Sequence, residues 1–150
     1  MSGIYTLQIR CVSGPNLKER FLRLIETFND IALGDLHFMI LELTDFDGSD
    51  HLSDFYLSNS WHGRKTWITI SENGDQDVEE QLWETPLADL FPLPRNRNLY
   101  FLFDYGDSWI FEIRKKGREK RPVPGTEYPI LVGEEGPQPV QYEDPDEDSF

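Results

Sequence analysis

Hydrophobic and polar residues alternate at the start of the chain. The segment IYTLQIRCV begins at residue 4, and its period of two predicts a strand with one buried face. The predicted inward positions are Tyr5, Leu7, Ile9 and Cys11. Cys11 is therefore interpreted as a small core residue and not as a nucleophile. A second strand is predicted over residues 20–27, after a turn sequence.

The period changes to that of a helix between about residues 33 and 45. Leu33, Leu36, Ile40 and Leu43 recur at spacings of three and four, which places them on one side of a helix. The apolar residues Phe38, Met39 and Leu41 widen this stripe, so we expect the helix to be buried on more than one side.

Most of the remaining segments are typical of strands joined by short turns. Strands are predicted over 51–58, 65–71 and 126–132, an exposed acidic loop over 72–81, one helical turn over 85–91 with Thr85 as its N-cap, and a loop over 117–125. The clearest hairpin pairs LYFLFD with SWIFEIRK. Its two inward faces are Leu99, Phe101 and Phe103 on one strand, and Trp109, Phe111 and Ile113 on the other.

Connections this short join antiparallel strands, because parallel strands need long crossovers. The sequence therefore predicts an α+β fold: a mostly antiparallel sheet with one main helix packed on a face. One domain is expected over residues 1–133, followed by an acidic and flexible tail over 134–150.

Charge narrows the classes of partner. The net charge of −14 argues against a general polyanion binder, since DNA affinity comes mainly from neutralised phosphates. Six of the fourteen bases nevertheless fall within eight residues: Arg114, Lys115, Lys116, Arg118, Lys120 and Arg121. This basic segment is either a solvated surface, a partner for the acidic tail, or a local anion-binding site.

Other features point to a cytoplasmic protein without a membrane span. No basic region followed by an apolar run stands at the start, and the longest apolar runs are far shorter than the ~20 residues that a span needs. The single cysteine allows no intrachain disulfide.

Motifs with a strong catalytic mechanism are absent: there is no P-loop, G-x-G-x-x-G, C-x-x-C, H-E-x-x-H or G-x-S-x-G. His37 and His51 could approach each other, since a helix and the next strand are neighbours. They are interpreted either as structural histidines or as part of a metal or catalytic site. No specific cofactor is implied.

The hairpin tip FDYGDSW is the other candidate site. Gly106 is expected to supply the positive φ of a tight turn, and Asp104 and Asp107 to accept hydrogen bonds from turn amides. Paired carboxylates on two rigid strands could instead hold a hard cation. Spacing alone favours the structural interpretation.

The hairpin sequence LYFLFDYGDSWIFEI resembles the Y-x-Y-D-F-G-D-x-W-x-H-x-I signature of the plasmid pRiA4b ORF-3-like family. Segments at 5–9, 32–40, 50–57 and 128–142 resemble other parts of that family in the same order. The residues that carry over are Asp104, Gly106, Asp107 and Trp109 on the hairpin, and Asp35, His37, His51 and Phe55 around the helix. The resemblance implies an α+β fold and little about function.

The chain also departs from the family pattern. Phe111 stands where the family usually has histidine, and Ala32 stands where it has a helix-capping threonine. A site that used that histidine would be lost here. The first hypothesis is therefore a small binding domain for an unidentified protein or small ligand, without complete catalytic machinery. The alternatives are a metal-dependent, hydrolase-like enzyme that uses the hairpin aspartates, and an accessory nucleic-acid protein of mobile elements.

Overall fold

The computed structural model describes residues 2–49, 51–69 and 75–142. Within them the elements follow in this order: β1 Ile4–Ser13, β2 Leu22–Phe28, α1 Leu33–Thr44, β3 Ser53–Ser58, β4 Thr66–Trp67, α2 Asp75–Glu84, a 3-10 turn Leu87–Leu90, β5 Asn98–Phe103, β6 Trp109–Lys120 and β7 Ile130–Glu135.

The strands form a single sheet in the order β4-β3-β5-β6-β1-β2-β7. Each of these neighbouring pairs is antiparallel. At the centre, Phe101 of β5 lies opposite Phe111 of β6, and Ile113 of β6 lies opposite Ile9 of β1. The prediction of an α+β fold with a mostly antiparallel sheet is therefore confirmed.

The main core lies between one face of the sheet and α1. The inward residues of β1, β5 and β6 are all buried, as their alternation predicted. The helix contributes Leu33, Leu36 and Ile40, each fully buried. Asp35 closes the first turn of α1, because its carboxylate accepts a hydrogen bond from the Ala32 N–H at 3.0 Å. Cys11 is buried in this core, as predicted, and its burial raises the pKa of the thiol to about 12.

The opposite face of the sheet carries a second, smaller cluster, made of Tyr56, Tyr100, Leu102 and Ile110. The rings of Tyr56 and Tyr100 stack at 5.2 Å. Beside them the nearly buried Glu112 lies between two arginines, with one oxygen 2.7 Å from Arg114 Nε and the other 3.4 Å from Arg10. The centre of the sheet is thus covered on both faces.

The acidic segment is partly helical, so the prediction of a loop is wrong over 75–81; residues 70–74 lie outside the described part. The last turn of α2 packs against α1, where Trp83 stacks on Phe38 with the ring centroids 6.2 Å apart. Gly34 lets the two helices approach, because an added Cβ would lie 2.9 Å from the Trp83 ring. Leu41 is buried, as predicted, but Phe38 is 58% exposed, so the buried stripe of α1 does not extend to Phe38.

Several boundaries also differ from the predicted ones. β6 continues through the predicted loop to Lys120, because β1 pairs with it as far as Ile4. Gly117, at φ 67°, lies where the register shifts. β4 is shorter than predicted and β7 begins later. Pro86 and not Thr85 is the N-cap of the 3-10 turn.

The expected domain boundary after residue 133 stays a prediction, and residues 143–150 lie outside the described part. Within that part, β7 runs on to Glu135, and Gln141 is buried. None of the described helices has the length and apolar character that crossing a membrane requires.

Replacing Phe101 by alanine should lower the free energy of unfolding by about 3–5 kcal/mol, because the ring is fully buried between Phe55 and Phe111. Phe38→Ala is the matched control. It removes the same ring from a 58% exposed position, where the stack on Trp83 is lost but little buried surface, so it should cost only about 1 kcal/mol. Urea unfolding of both variants tests this, and equal losses would contradict the described core.

Candidate functional site

The tip of the β5–β6 hairpin is closed by its own polar groups. Asp104 Oδ1 accepts hydrogen bonds from the N–H groups of Gly106 at 3.1 Å and Asp107 at 3.3 Å. The Asp104 carbonyl accepts from the Ser108 N–H at 2.6 Å, and the Asp104 N–H donates to the Leu52 carbonyl at 2.9 Å. One carboxylate oxygen of Asp104 is therefore occupied within the loop.

The prediction that Gly106 supplies a positive φ is wrong. The left-handed residues are the first and last of the five-residue loop, Asp104 at φ 61° and Ser108 at φ 55°. A Cβ on Gly106 would make only an ordinary contact, 3.5 Å from Asp104 Oδ1. In this loop the strands are turned by an aspartate in the left-handed region, where its short side chain can bond to the backbone locally.

His51 connects the hairpin to the C-terminal segment. Its Nδ1 lies 3.3 Å from Asp104 Oδ2, its Nε2 lies 2.5 Å from the Tyr142 hydroxyl, and its ring lies edge-on to Phe103. Partial desolvation and the nearby carboxylates of Asp104, Asp47 and Asp107 raise the pKa of Tyr142. The second oxygen of Asp104 is thus engaged as well.

The C-terminal segment is held by amide side chains that the sequence analysis did not single out. Gln141 Oε1 accepts from the Asp47 N–H at 2.7 Å, and Gln141 Nε2 donates to the Asp47 carbonyl at 2.9 Å. Asn16 donates to the Val140 carbonyl, and Gln138 to the Leu43 carbonyl. The uncharged amides of Gln138 and Gln141, within an otherwise acidic segment, were the feature of the sequence that could have indicated these contacts.

His37 has separate partners from His51. Its Nδ1 lies 3.1 Å from Ser53 Oγ, and its ring lies edge-on to Phe38 and Phe101. Burial lowers the pKa of His37, since a charged imidazole is disfavoured away from water. His37 and His51 thus contact rings two residues apart on β5, each within its own set of contacts.

The remaining family-like residues also serve the fold. Trp109 is fully buried beneath Gly14 and beside Phe46, and Phe55 is fully buried as well. Asp54, which no motif indicated, is 1% exposed and accepts hydrogen bonds from Thr69 Oγ1 at 2.7 Å and from the Tyr105 hydroxyl. Across residues 2–49, 51–69 and 75–142, no group of three or more His, Cys, Asp or Glu side chains is arranged to hold a metal ion.

The basic segment divides into two parts. Arg114, Lys115 and Lys116 line a cavity of about 520 Å³ together with Tyr5 and Phe91. Farther along, Lys120 is paired with Glu26 at 2.7 Å, and Arg118 and Arg121 are exposed.

The described acids of the predicted tail pair elsewhere. Glu134 is paired with Arg23 at 3.9 Å and Glu135 with Arg20 at 3.6 Å. Pairing of the basic segment with residues 143–150 falls outside the described part.

Comparison with known proteins identifies the family. The model of the family described as "Plasmid pRiA4b ORF-3-like protein" matches residues 5–144, so the chain belongs to this family. The crystal structure of a protein of unknown function, MM3350 from Methanosarcina mazei Go1, is similar with a TM-score of 0.67 at 22% identity. The match covers 89% of this chain and 70% of that one, and it shows a shared fold. No curated protein matches the chain.

Replacing Asp104 by alanine should lower the free energy of unfolding by about 1–3 kcal/mol, because two loop amides lose their acceptor. Asp104→Asn should cost less, since asparagine keeps one oxygen and tolerates the left-handed region. The carboxylate of Asp107 accepts none of these loop hydrogen bonds, so Asp107→Ala should change the free energy of unfolding by no more than about 0.5 kcal/mol. Thermal or urea unfolding gives the order, and equal costs at both aspartates would contradict the role of Asp104.

Stability should also fall on acidification through His37. The pKa of His37 in the folded chain lies below its ordinary value of 6.5. The contribution of neutral His37 to the free energy of unfolding is therefore complete above pH 6.5 and is lost as the pH falls toward the pKa in the folded chain. Replacing His37 by glutamine should remove this part of the pH dependence, whereas the control His62→Gln, at an exposed turn, should retain it. Urea unfolding between about pH 7.5 and 5 measures it; parallel curves for wild type and His37→Gln would contradict the assignment.

Proposed function

We propose that this member of the plasmid pRiA4b ORF-3-like family acts as a cytoplasmic binding domain and not as an enzyme, and that it binds an extended polypeptide segment along β7. The observation that carries this proposal is an open edge strand beside an apolar groove. The polar groups at the hairpin tip support it indirectly, since Asp104 and His51 are engaged in holding the loop and the C-terminal segment.

The edge strand β7 offers unusual apolar surface. Ile130, Leu131 and Val132 are consecutive and are 39%, 44% and 49% exposed. In the described part of the chain, β7 is the last strand of the sheet and pairs with β2. Such an edge leaves backbone donors and acceptors available for another strand. Proteins often guard an edge with proline, charged residues or a bulge, and β7 has these only as Pro129 before it, Glu134 and Glu135 at its end and a bulge at Val132.

A groove of about 410 Å³ runs between this strand and α1. Ile25 lies in it, Met39 and Leu43 line it from the helix, and Pro129 and Leu131 line it from β7. A strand added to β7 would gain affinity from backbone hydrogen bonds. Because its side chains alternate, every second one would point toward the groove and give specificity.

Charge favours a segment that carries basic residues beside its apolar ones. Glu42 and Glu134 line the groove, and Glu135 follows on the strand. Arg20 offsets Glu135 only through a long, exposed pair, which contributes little. Arg23, which is buried and also lines the groove, lies 3.9 Å from Glu134, so the two acids of the groove face one base. The net charge of −14 also steers basic partners toward the chain and makes nucleic acid an unfavourable partner.

Selection from a displayed peptide library should test this proposal. We expect enrichment of peptides that alternate apolar residues and carry at least one lysine or arginine. Replacing Val132 by lysine should weaken a selected peptide at least about tenfold, because it places a like charge on the edge strand. Val123→Lys is the matched control: it makes the same change at another exposed valine, outside the strand, and should have little effect.

Two results would overturn the proposal. One is equal weakening by the two lysine variants, which would place the peptide elsewhere. The other is a concentration-dependent dimer that Val132→Lys dissolves, since a second copy of the chain would then be the occupant of the edge.

A further inference from the structure

A second groove lies where β5 begins, away from β7, and it differs from the first in charge. Its volume is about 520 Å³, within the usual range of about 300–1,000 Å³ for small-molecule sites. Its principal lining residues are Tyr5, Phe91, Leu93, Arg114, Lys115 and Lys116.

The groove arises from unequal strand lengths. The pairing of β5 with β6 ends at Leu99 and Ile113, whereas β6 continues beside β1 to Lys120. The next residues of β6 therefore line a notch, which the segment from Phe91 to Asn98 borders on its other side.

The groove is basic in a strongly acidic protein. Three of its described lining residues are bases and none is acidic. The guanidinium of Arg114 is paired with Glu112 on the opposite face of the sheet, so the ammonium group of Lys115 is the principal cation beside Tyr5. Lys115 Nζ also donates a hydrogen bond to the Gly117 carbonyl at 3.2 Å. Lys115 is half-buried with its Nζ 5.0 Å from the centre of the Tyr5 ring, and Lys116 is exposed. At physiological salt, charges beyond about 8 Å are largely screened, so these nearby cations outweigh the distant net charge.

The floor of the groove is apolar. The rings of Tyr5 and Phe91 meet edge-on at 5.8 Å, and Leu93 and Ile113 extend this surface. Phe91 and Leu93 are half-buried, so part of their apolar surface still faces solvent. A ligand with a planar ring could cover this surface and gain hydrophobic and ring-stacking energy.

We propose that this groove binds a small organic monophosphate, with its phosphate at Lys115 and a planar ring against Phe91 and Leu93. A lysine ammonium group can bind a phosphate as a point charge, and the apolar floor beside it can hold the organic part of the ligand. This inference does not depend on the peptide site at β7, because the two grooves involve different residues.

Calorimetric titration of the full chain with AMP, phenyl phosphate, adenosine and inorganic phosphate tests the inference. AMP and phenyl phosphate should bind saturably. AMP should bind at least about tenfold more tightly than adenosine alone or inorganic phosphate alone. Added salt should weaken AMP binding, because the cations lie at the surface.

A matched pair of charge reversals locates the site. Lys115→Glu should weaken AMP binding at least about tenfold. Lys18→Glu, which makes the same charge change at an exposed residue after the far end of β1, should change it less than about twofold. Lys115 is half-buried and Lys18 is exposed, and unfolding curves like that of the wild type would show that each variant is folded.

Three outcomes would overturn the inference. The first is the absence of saturable binding of AMP and phenyl phosphate by the folded chain at millimolar concentration. The second is equal weakening by the two variants, which would indicate net charge and not a site. The third is binding of an oligonucleotide that tightens with its length and exceeds that of AMP, which would make the groove part of a nucleic-acid surface.

Discussion

The antiparallel pairing of β5 with β6 is the constraint on which the rest of the structure depends. It places Phe101 opposite Phe111 and Phe103 opposite Trp109, so that four large rings are buried on one face of the sheet. Aromatic pairs across strands contribute both buried area and ring contacts. The helix α1 packs on this face, β1 joins the outer edge of β6, and β3 joins that of β5.

The same pairing fixes what the two ends of the hairpin can do. At the tip, the strands end together and Asp104 closes the loop, so the most family-like residues serve the fold first. At the other end, β6 extends beyond its pairing with β5, and the basic groove lies beside the part of β6 that β5 does not pair with. The edge strand β7 lies three strands from β6, beyond β1 and β2. Surfaces suited to ligands are thus displaced from the aspartates that first suggest a site.

The sequence predicted the features that depend on local periodicity. Alternation identified β1 and the hairpin, and the leucine stripe identified α1, because burial of one face leaves a direct pattern in the chain. The acidic composition of α2 concealed its helix, since the apolar contacts described for it, Trp83 on Phe38 and Leu82 on the main core, both come from its last turn. The amide of Gln141 stands out within an acidic segment, but its partner could not be predicted, because Asp47 is 94 residues away and such contacts leave no local pattern.

Native-state hydrogen exchange at the hairpin tip tests the central claim most directly, namely that Asp104 is committed to the loop. The amides of Gly106, Asp107 and Ser108 should exchange at least about a hundredfold more slowly than in an unfolded chain, because each donates a hydrogen bond to Asp104. Exchange of these three amides at unprotected rates would show that the Asp104 carboxylate is available for other chemistry and would contradict the account.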